Sequence, residues 1–128
     1  MSERQTRARV AVIEDDDLER CALGRVLQAG GFEPDLFESA ETFIASGQDH
    51  QWLCLVVDVS LTGMSGIDLQ RKLRAEGSGV PIIIITGNRA EAIRTSAEQA
   101  GCIGFLWKPF SADAILVLVK SIADPQLT

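Results

Sequence analysis

Four consecutive acidic residues follow the apolar stretch RVAVI near the start of the sequence: Glu14, Asp15, Asp16 and Asp17. Carboxylates this close together raise one another's pKa and repel, so their position directly after a water-avoiding segment needs an explanation. A solvated loop is one explanation, and a cation bound by the carboxylates is the other. The residues that end the other apolar stretches bear on this choice, and the first of them is Asp58, at the end of LCLVVD.

Two further polar side chains end apolar stretches in the second half of the sequence. Thr86 follows IIII, and Lys108 follows FLW. Lysine supplies a compact positive charge and threonine supplies a hydroxyl donor. A carboxylate surrounded by a cation, an ammonium and a hydroxyl is suited to carry a phosphoryl group. Single polar residues often end strands, so it is the number of such residues here that indicates phosphoryl transfer.

Strand-sized and helix-sized segments alternate along the chain between these residues. Apolar or alternating segments predict strands at residues 10–13, 33–37, 53–57, 82–85 and 105–107. The segments after them predict helices at residues 18–29, 40–46, 66–76, 90–100 and 111–123. Continuous apolar runs are typical of strands buried on both faces of a parallel sheet. The sequence therefore predicts an α/β fold, a doubly wound (βα)5 parallel sheet with helices on both faces.

Cap and turn residues agree with this division. Gly30-Gly31 predicts the end of the first helix, and Ser39 predicts the N-cap of the second. Asp16 and Asp17 are expected to act as first-turn acids that favour the helix macrodipole, or as the cap of the first helix.

The acidic residues meet if the strands follow the flavodoxin-like order 2-1-3-4-5. Ligands of open parallel sheets bind outside the carboxyl ends of the strands, where the strand order reverses. With this order the first and third strands are neighbours there, so Glu14, Asp15 and Asp58 converge. Their charges then need protons or a cation as compensation, and oxygen ligands with room for water favour Mg²⁺. The sequence thus favours a magnesium site over a solvated loop.

Five motifs spread over the chain carry a resemblance to a known family. VIEDD, the VVD of the third strand, GMSGIDL, the ITG of the fourth strand and WKPF together resemble the receiver domain of bacterial two-component response regulators, the CheY-like fold. The resemblance covers residues 9–122. The segments GFEPDLFESAETFI and ITGNRA look most like receivers of FixJ-type transcription factors.

The resemblance implies a role for each residue of the site. Asp58 would accept a phosphoryl group from a phosphohistidine on a sensor histidine kinase. Asp15 would ligate Mg²⁺ directly, Glu14 would act mostly through a water, and the backbone carbonyl of Ser60 would complete the protein's ligands. Lys108 would pair with a phosphoryl oxygen. Such a domain is not an enzyme in the usual sense, because it catalyses only its own phosphorylation and slow dephosphorylation.

Further implied roles concern conformation and lifetime. Thr86 and Phe105 would form a switch pair, in which the hydroxyl moves to the phosphoryl group and the ring follows inward. The peptide bond before Pro109 would be cis. Ser60 and Asn88 resemble positions that tune hydrolysis of the acyl phosphate. One departure is Thr62, four residues after Asp58, where many receivers have proline; the loop is therefore expected to be less rigid.

The last two helices are expected to form the surface that changes on phosphorylation. The fourth helix has only a thin apolar stripe and is expected to be loosely held. The fifth, with AILVLVK, is apolar nearly all round, which fits either a partner surface or a well-buried helix, and both interpretations stay open. A homodimer formed on phosphorylation through the fourth helix, fifth strand and fifth helix is our hypothesis.

Three other function classes fit these residues less well. A receiver-like interaction module that never turns over phosphate has no need of the whole set of site residues. A phosphatase of the haloacid dehalogenase type would want a second acid two residues after the nucleophile, where this chain has Ser60. A flavodoxin-like FMN carrier would need hydroxyls and glycines after the first strand, where this chain has acids that repel phosphate.

Composition limits the remaining possibilities. The 128 residues, 46% of them apolar, predict a single domain over residues 1–128 with its core at 9–122, a polar N-terminal tail and a linker-like end. The net charge of −6 argues against direct binding of nucleic acid. No apolar run approaches the roughly 18 residues of a membrane helix, so a soluble, cytoplasmic protein is expected. Nothing after Ile122 is long enough for a DNA-binding output domain, so the chain is expected to be a free-standing receiver or the N-terminal part of a longer regulator.

Cysteine and histidine give no sign of other chemistry. Cys21, Cys54 and Cys102 are odd in number and set among apolar neighbours, which predicts reduced core thiols rather than disulfides or a zinc site. The single histidine, His50, lies in the polar stretch GQDHQ and is expected to be a loop residue. A histidine-based metal site or catalytic triad is therefore not expected.

Overall fold

The computed structural model describes residues 7–47 and 52–127, and it has the predicted alternation of strands and helices. The five strands are β1 (Arg9–Ile13), β2 (Glu33–Phe37), β3 (Cys54–Asp58), β4 (Ile82–Thr86) and β5 (Gly104–Trp107). The helices are α1 (Asp17–Ala29), α2 (Ala40–Ala45), α3 (Gly66–Ala75), α4 (Glu91–Gln99) and α5 (Ala112–Ala123), followed by a short 3₁₀ helix, Pro125–Leu127. All strand pairs are parallel, in the order β2-β1-β3-β4-β5. The predicted fold class and strand order are confirmed.

The core consists of two apolar layers, one on each face of the sheet. Every residue of β3 and β4 is buried, as their unbroken apolar sequences predicted. One layer packs α2, α3 and α4 against the sheet through residues that include Phe43, Leu69 and Ala97. The other packs α1 and α5 through residues that include Leu27 and Ile115. The edge strands β2 and β5 are only half-buried along most of their length.

Four of the five helices described here begin at a side chain that caps them. The capping residues are Asp16, Ser39, Ser65 and Ser111, each of which accepts a hydrogen bond from a backbone N–H of the first turn. The N-cap prediction for Ser39 is confirmed. Of the two roles left open for the acids before α1, Asp16 has the cap and Asp17 lies in the first turn. Gly31, with φ of 97°, follows the end of α1, as the Gly30-Gly31 pair predicted.

The prediction that all three cysteines are core thiols is wrong for Cys21. Cys54 is buried in the sheet and Cys102 is partly buried, but Cys21 is exposed. The reason is helical geometry: α1 buries Leu23 and Leu27, and Cys21 lies about 200° around the helix from Leu23. All three are free thiols. The apolar neighbours of Cys21 in the sequence therefore do not determine which face of α1 it occupies.

The last two helices differ in their burial. In α4 only Ala97 is buried, in agreement with its thin apolar stripe. In α5 Ile115 and Val119 are buried and Val117 is 65% exposed, so this helix combines a core face with an apolar outer surface. Among the helices in the described ranges, none has both the length and the apolar character needed to span a bilayer. The prediction for His50 lies outside the described residues.

Candidate active site

The register of the sheet brings the chemistry-bearing residues to one edge. Ile13 pairs with Val57, so Glu14 and Asp58 follow side by side at the carboxyl ends of β1 and β3. Farther along the edge, Thr86 pairs with Trp107. The ends of β1 and β3 lie at the reversal of strand order, where parallel sheets bind ligands.

Asp58 is a buried residue at the end of the central strand, β3. The residue is 4% exposed, and its carboxylate has two polar partners. Oδ1 accepts a hydrogen bond from the backbone N–H of Ser60 at 3.1 Å, and Oδ2 accepts one from Lys108 Nζ at 2.9 Å. The sequence predicts Asp58 at the end of the third strand, and in the structure it is the last residue of β3 and pairs with Ile85. Its side chain is therefore oriented by the sheet itself.

Three carboxylates converge here as predicted. Glu14, Asp15 and Asp58 each offer an oxygen, and the three oxygens lie within 4.8 Å of one another. Glu14 and Asp58 are buried, while Asp15 is partly exposed and so leaves one side open to water. An all-oxygen set with a solvated side fits Mg²⁺, which binds through one or two carboxylates and keeps several waters. These residues therefore fit the ion that the sequence predicted.

Lys108 compensates much of the negative charge. Its Nζ lies 2.7 Å from Glu14 Oε1 and 2.9 Å from Asp58 Oδ2, and it also contacts Glu19 at 2.5 Å. These partners match the three N–H donors of an ammonium. Burial alone would lower the pKa of Lys108, but hydrogen bonds to its three carboxylate partners raise it above its ordinary value. The lysine therefore remains charged.

Glu14 is the carboxyl group with the most perturbed surroundings. Burial raises its pKa from 4.5 to about 7, although hydrogen bonds from Lys108 and from the Asp16 backbone N–H act in the opposite direction. The neighbouring charge of Asp58 adds to the rise. Without a metal ion, Glu14 therefore gains and loses its proton close to neutral pH.

The loop between β3 and α3 closes tightly over Asp58. Gly66 N donates to Val59 O at 3.0 Å, which turns the chain back onto the strand end. A Cβ on Gly66 would lie 2.3 Å from the carbonyl oxygen of Asp58, a distance that forces the backbone apart. Only glycine permits this approach, which explains its place in the motif GMSGIDL.

Thr86 and Phe105, the predicted switch pair, lie on the neighbouring strands β4 and β5. Thr86 is fully buried, and its Oγ1 accepts a hydrogen bond from Asn88 N at 3.0 Å. Phe105 is half-buried against the layer that contains Ala97. Its ring centroid lies 4.8 Å from that of Trp107 and 5.7 Å from the guanidinium carbon of Arg94. The Lys108-Pro109 bond is cis, as predicted.

Sequence reasoning missed two contacts of this site. Glu19 lies in the first turn of α1 and reaches Lys108, 89 positions later in the chain, which no local pattern in the sequence indicates. Thr62 Oγ1 lies 3.2 Å from Asp15 Oδ2, a contact between residues 47 positions apart that no local pattern indicates. In the sequence, Thr62 is distinguished only as a departure from the proline of many receivers.

Direct comparison agrees with the resemblance drawn from the motifs. The family model described as the response regulator receiver domain matches residues 10–120, and the chain belongs to this family. Phosphorylation on an aspartate is the general function of its members. Receiver domains in general bind Mg²⁺ and interact with sensor kinases.

The predicted likeness to FixJ receivers is also confirmed. The chain is 33% identical to the transcriptional regulatory protein FixJ of Bradyrhizobium diazoefficiens, over 91% of this chain and 57% of that protein. It is 36% identical to nodulation protein W of the same organism, over 96% of this chain and 54% of that protein. The chain thus spans about half the length of the curated relatives it matches.

Solved structures give the same result. The crystal structure of FixJ-N has a TM-score of 0.85 at 29% identity, covering 94% of this chain and 96% of that one. A CheY-like receiver domain from Methanospirillum hungatei has a TM-score of 0.86 at 21% identity, covering 95% of this chain and 98% of that one. The second likeness, at this lower identity, concerns the fold alone.

Proposed function

We propose that this chain is a phosphoacceptor signalling domain, in which Asp58 takes a phosphoryl group from a phosphohistidine of a sensor histidine kinase. One observation carries the proposal: a buried carboxylate, hydrogen-bonded to Lys108, lies in a cluster of acids at the switch point of the sheet. A structural aspartate would have no need of the neighbouring acids, since each adds repulsion.

Each residue has a definite part in the transfer. A carboxylate oxygen of Asp58 forms a bond to phosphorus while the bond from phosphorus to the histidine nitrogen breaks, and the electron pair of that bond stays on the imidazole. Bound Mg²⁺ would neutralise charge on the phosphoryl oxygens. Glu14, Asp15 and the Ser60 carbonyl would hold the ion, and Lys108 would pair with a phosphoryl oxygen. The chain catalyses only its own phosphorylation and slow dephosphorylation.

Phosphorylation would act as a conformational switch. The phosphorylated side chain would carry about −1.5 to −2 charges on its phosphoryl oxygens, where the free carboxylate carries −1. This charge shifts an existing equilibrium only as far as it contacts the two states differently, and about 5.5 kcal/mol is needed to go from 1:99 to 99:1. The Thr86 hydroxyl would move toward the phosphoryl group, and Phe105, half-buried beside α4, would turn inward behind it.

We propose that the surface beside Lys108 contacts the kinase. A cavity of about 430 Å³ lies between α1 and α5 and is lined mainly by apolar side chains, with Glu19 and Lys108 among its polar lining. Leu18, at the start of α1, is 84% exposed. Exposed apolar surface next to a reactive residue favours a protein partner over a small metabolite.

The net charge of −6 supports the further proposal that this chain does not itself bind nucleic acid.

The test is the intact mass of the protein after incubation with Mg²⁺ and acetyl phosphate. The wild type is expected to gain the mass of one phosphoryl group, and the gain should vanish in Asp58→Asn and when Mg²⁺ is removed by EDTA. Asp113→Asn, which removes an exposed acid of α5, is the matched control and should be phosphorylated normally.

Two outcomes would favour a different function. A folded wild type that gains no mass from acetyl phosphate or from phosphorylated kinase would indicate an interaction module. Sustained turnover of p-nitrophenyl phosphate would indicate a phosphatase of the haloacid dehalogenase type.

A further inference from the structure

The hydroxyl of Thr62 contacts one of the acids at the metal site. Thr62 lies in the exposed loop between β3 and α3, and its Oγ1 donates a hydrogen bond to Asp15 Oδ2 at 3.2 Å. Asp15 is partly exposed, whereas Glu14 and Asp58 are buried. Its carboxylate is therefore the least confined of the three, and a contact that limits its rotation affects it most.

The loop that carries Thr62 is itself held from a second element. Glu41, on α2, accepts a hydrogen bond from Met64 N at 2.8 Å. The carboxylate also fills the space beside Gly63, where a Cβ would lie 2.7 Å from Glu41 Oε2. The bond from Gly66 N to the carbonyl of Val59, the residue after β3, closes the base of the loop. Thr62 is thus presented to Asp15 by a loop that is closed at its base and held at Met64.

We propose that Thr62 is a positioning residue for Asp15, which holds the carboxylate in place for a divalent cation. The inference rests on the proposed function, because it assigns a role toward the metal of that same site. Hydrogen bonds from neighbouring side chains commonly orient metal ligands and raise their affinity for the ion. Thr62 therefore strengthens cation binding before any phosphoryl group arrives, without touching the ion.

The test measures metal affinity rather than phosphorylation. Mn²⁺, a hard cation that accepts the same oxygen ligands as Mg²⁺, is titrated into the metal-free chain, and free Mn²⁺ is counted by electron paramagnetic resonance. Thr62→Val keeps the shape of the side chain and removes the hydroxyl, whereas Thr62→Ser keeps the hydroxyl. Thr95→Val, at an exposed position of α4, is the matched control.

We expect Thr62→Val to bind Mn²⁺ about tenfold more weakly, the lower end of the range for residues that orient a metal ligand. Thr62→Ser and Thr95→Val should bind as the wild type does, and Mg²⁺ should displace Mn²⁺ from all four proteins. Circular dichroism of the metal-free proteins should be identical, because the contact lies on the surface.

Equal affinity of Thr62→Val and wild type would overturn the inference and leave the proposed function intact. Equally weak binding by Thr62→Ser and Thr62→Val would also overturn it, because the hydroxyl would then not be the cause. A wild type that binds no Mn²⁺ would overturn the metal site and the inference together, so the two failures are distinguishable.

Discussion

At the scale of single residues, the site balances several carboxylates against one ammonium. Lys108 contacts Glu14, Glu19 and Asp58, and Asp15 completes the acidic cluster. The excess of negative charge is compensated in one of two ways, by a proton on Glu14 or by a cation. This competition makes the stability of the metal-free protein depend on pH.

The first prediction concerns Glu14 and pH. Between pH 4.5 and about 7 the unfolded chain has released the Glu14 proton while the folded chain retains it, so folding stability falls as pH rises through this window. The contribution of protonated Glu14 to folding stability is fully present below pH 4.5 and is lost above about pH 7. In urea unfolding without metal, the free energy of unfolding of the wild type should fall by about 3 kcal/mol more than that of Glu14→Gln as the pH rises through this window.

Magnesium should reduce this loss, because the cation replaces the proton at Glu14. Tryptophan fluorescence at pH 5 and pH 8, with Mg²⁺ and with EDTA, measures both effects. Identical pH profiles for wild type and Glu14→Gln would contradict the raised pKa.

Residue types and strand ends in the sequence were enough to predict the acids, Lys108 and Thr86 at this edge. Contacts that depend on side-chain direction were not predictable in the same way. The apolar neighbours of Cys21 in the sequence indicate a core position, but its position around α1 places it on the exposed face. Thr62 reaches Asp15 only because the fold brings residues 47 positions apart into contact.

At the scale of elements, α4 is attached at one end more firmly than at the other. The buried side chain of Gln70, on α3, donates from Nε2 to the carbonyl of Ala97 at 3.1 Å. Arg74, also on α3, donates to the carbonyl of Gly101 at 3.3 Å. At its other end, the N-cap residue Ala90 precedes Glu91, the first residue of α4, and makes no side-chain cap hydrogen bond. The N-terminal turn of α4 is thus the weaker end.

The second prediction tests this asymmetry. Backbone amides in the first turn of α4 should exchange with deuterium faster than those in its last turn. Ala90→Ser supplies a cap and should raise the free energy of unfolding by about 1 kcal/mol while slowing exchange in the first turn. Ala92→Ser, at an exposed position inside the helix, is the control and should give no such gain. Uniform exchange along α4 would contradict the asymmetry.

The central strands could be predicted from the sequence because they are unbroken apolar runs bounded by turn residues. Where an observed strand end differs from the predicted one, it differs by a single residue, as for β3, which extends to Asp58. An aspartate is a poor strand residue in isolation. Pairing with Ile85 in the buried sheet overrides that preference, and this pairing is a property of the fold rather than of the local sequence.

At the scale of the whole molecule, the acidic site lies at one edge of the sheet and an apolar surface lies on α5. Val117 is 65% exposed on α5, and Ile103, just before β5, is 56% exposed. The sequence left open whether α5 was a core helix or a partner surface, and the helix has both characters. We propose that this surface forms the phosphorylation-dependent homodimer.

The third prediction follows from that surface. Sedimentation should detect a dimer of the phosphorylated protein and a monomer of the unphosphorylated protein at the same concentration. Val117→Asp should weaken the dimer at least about tenfold, because it places an unpaired charge in an apolar contact. Leu36→Asp, at an exposed position of β2 on the opposite edge of the sheet, should leave dimerisation unchanged. Equal sedimentation with and without phosphorylation would contradict the dimer.

The most direct test of the central claim identifies the side chain that carries the phosphoryl group. The chain is incubated with Mg²⁺ and acetyl phosphate, reduced with borohydride, digested, and sequenced by mass spectrometry. Borohydride converts an aspartyl phosphate to homoserine, so the position of homoserine identifies the acceptor. We predict homoserine at position 58 and none in a sample without Mg²⁺. Homoserine at Asp15 or Asp16, or a phosphoryl group on another side chain with position 58 unmodified, would contradict the account.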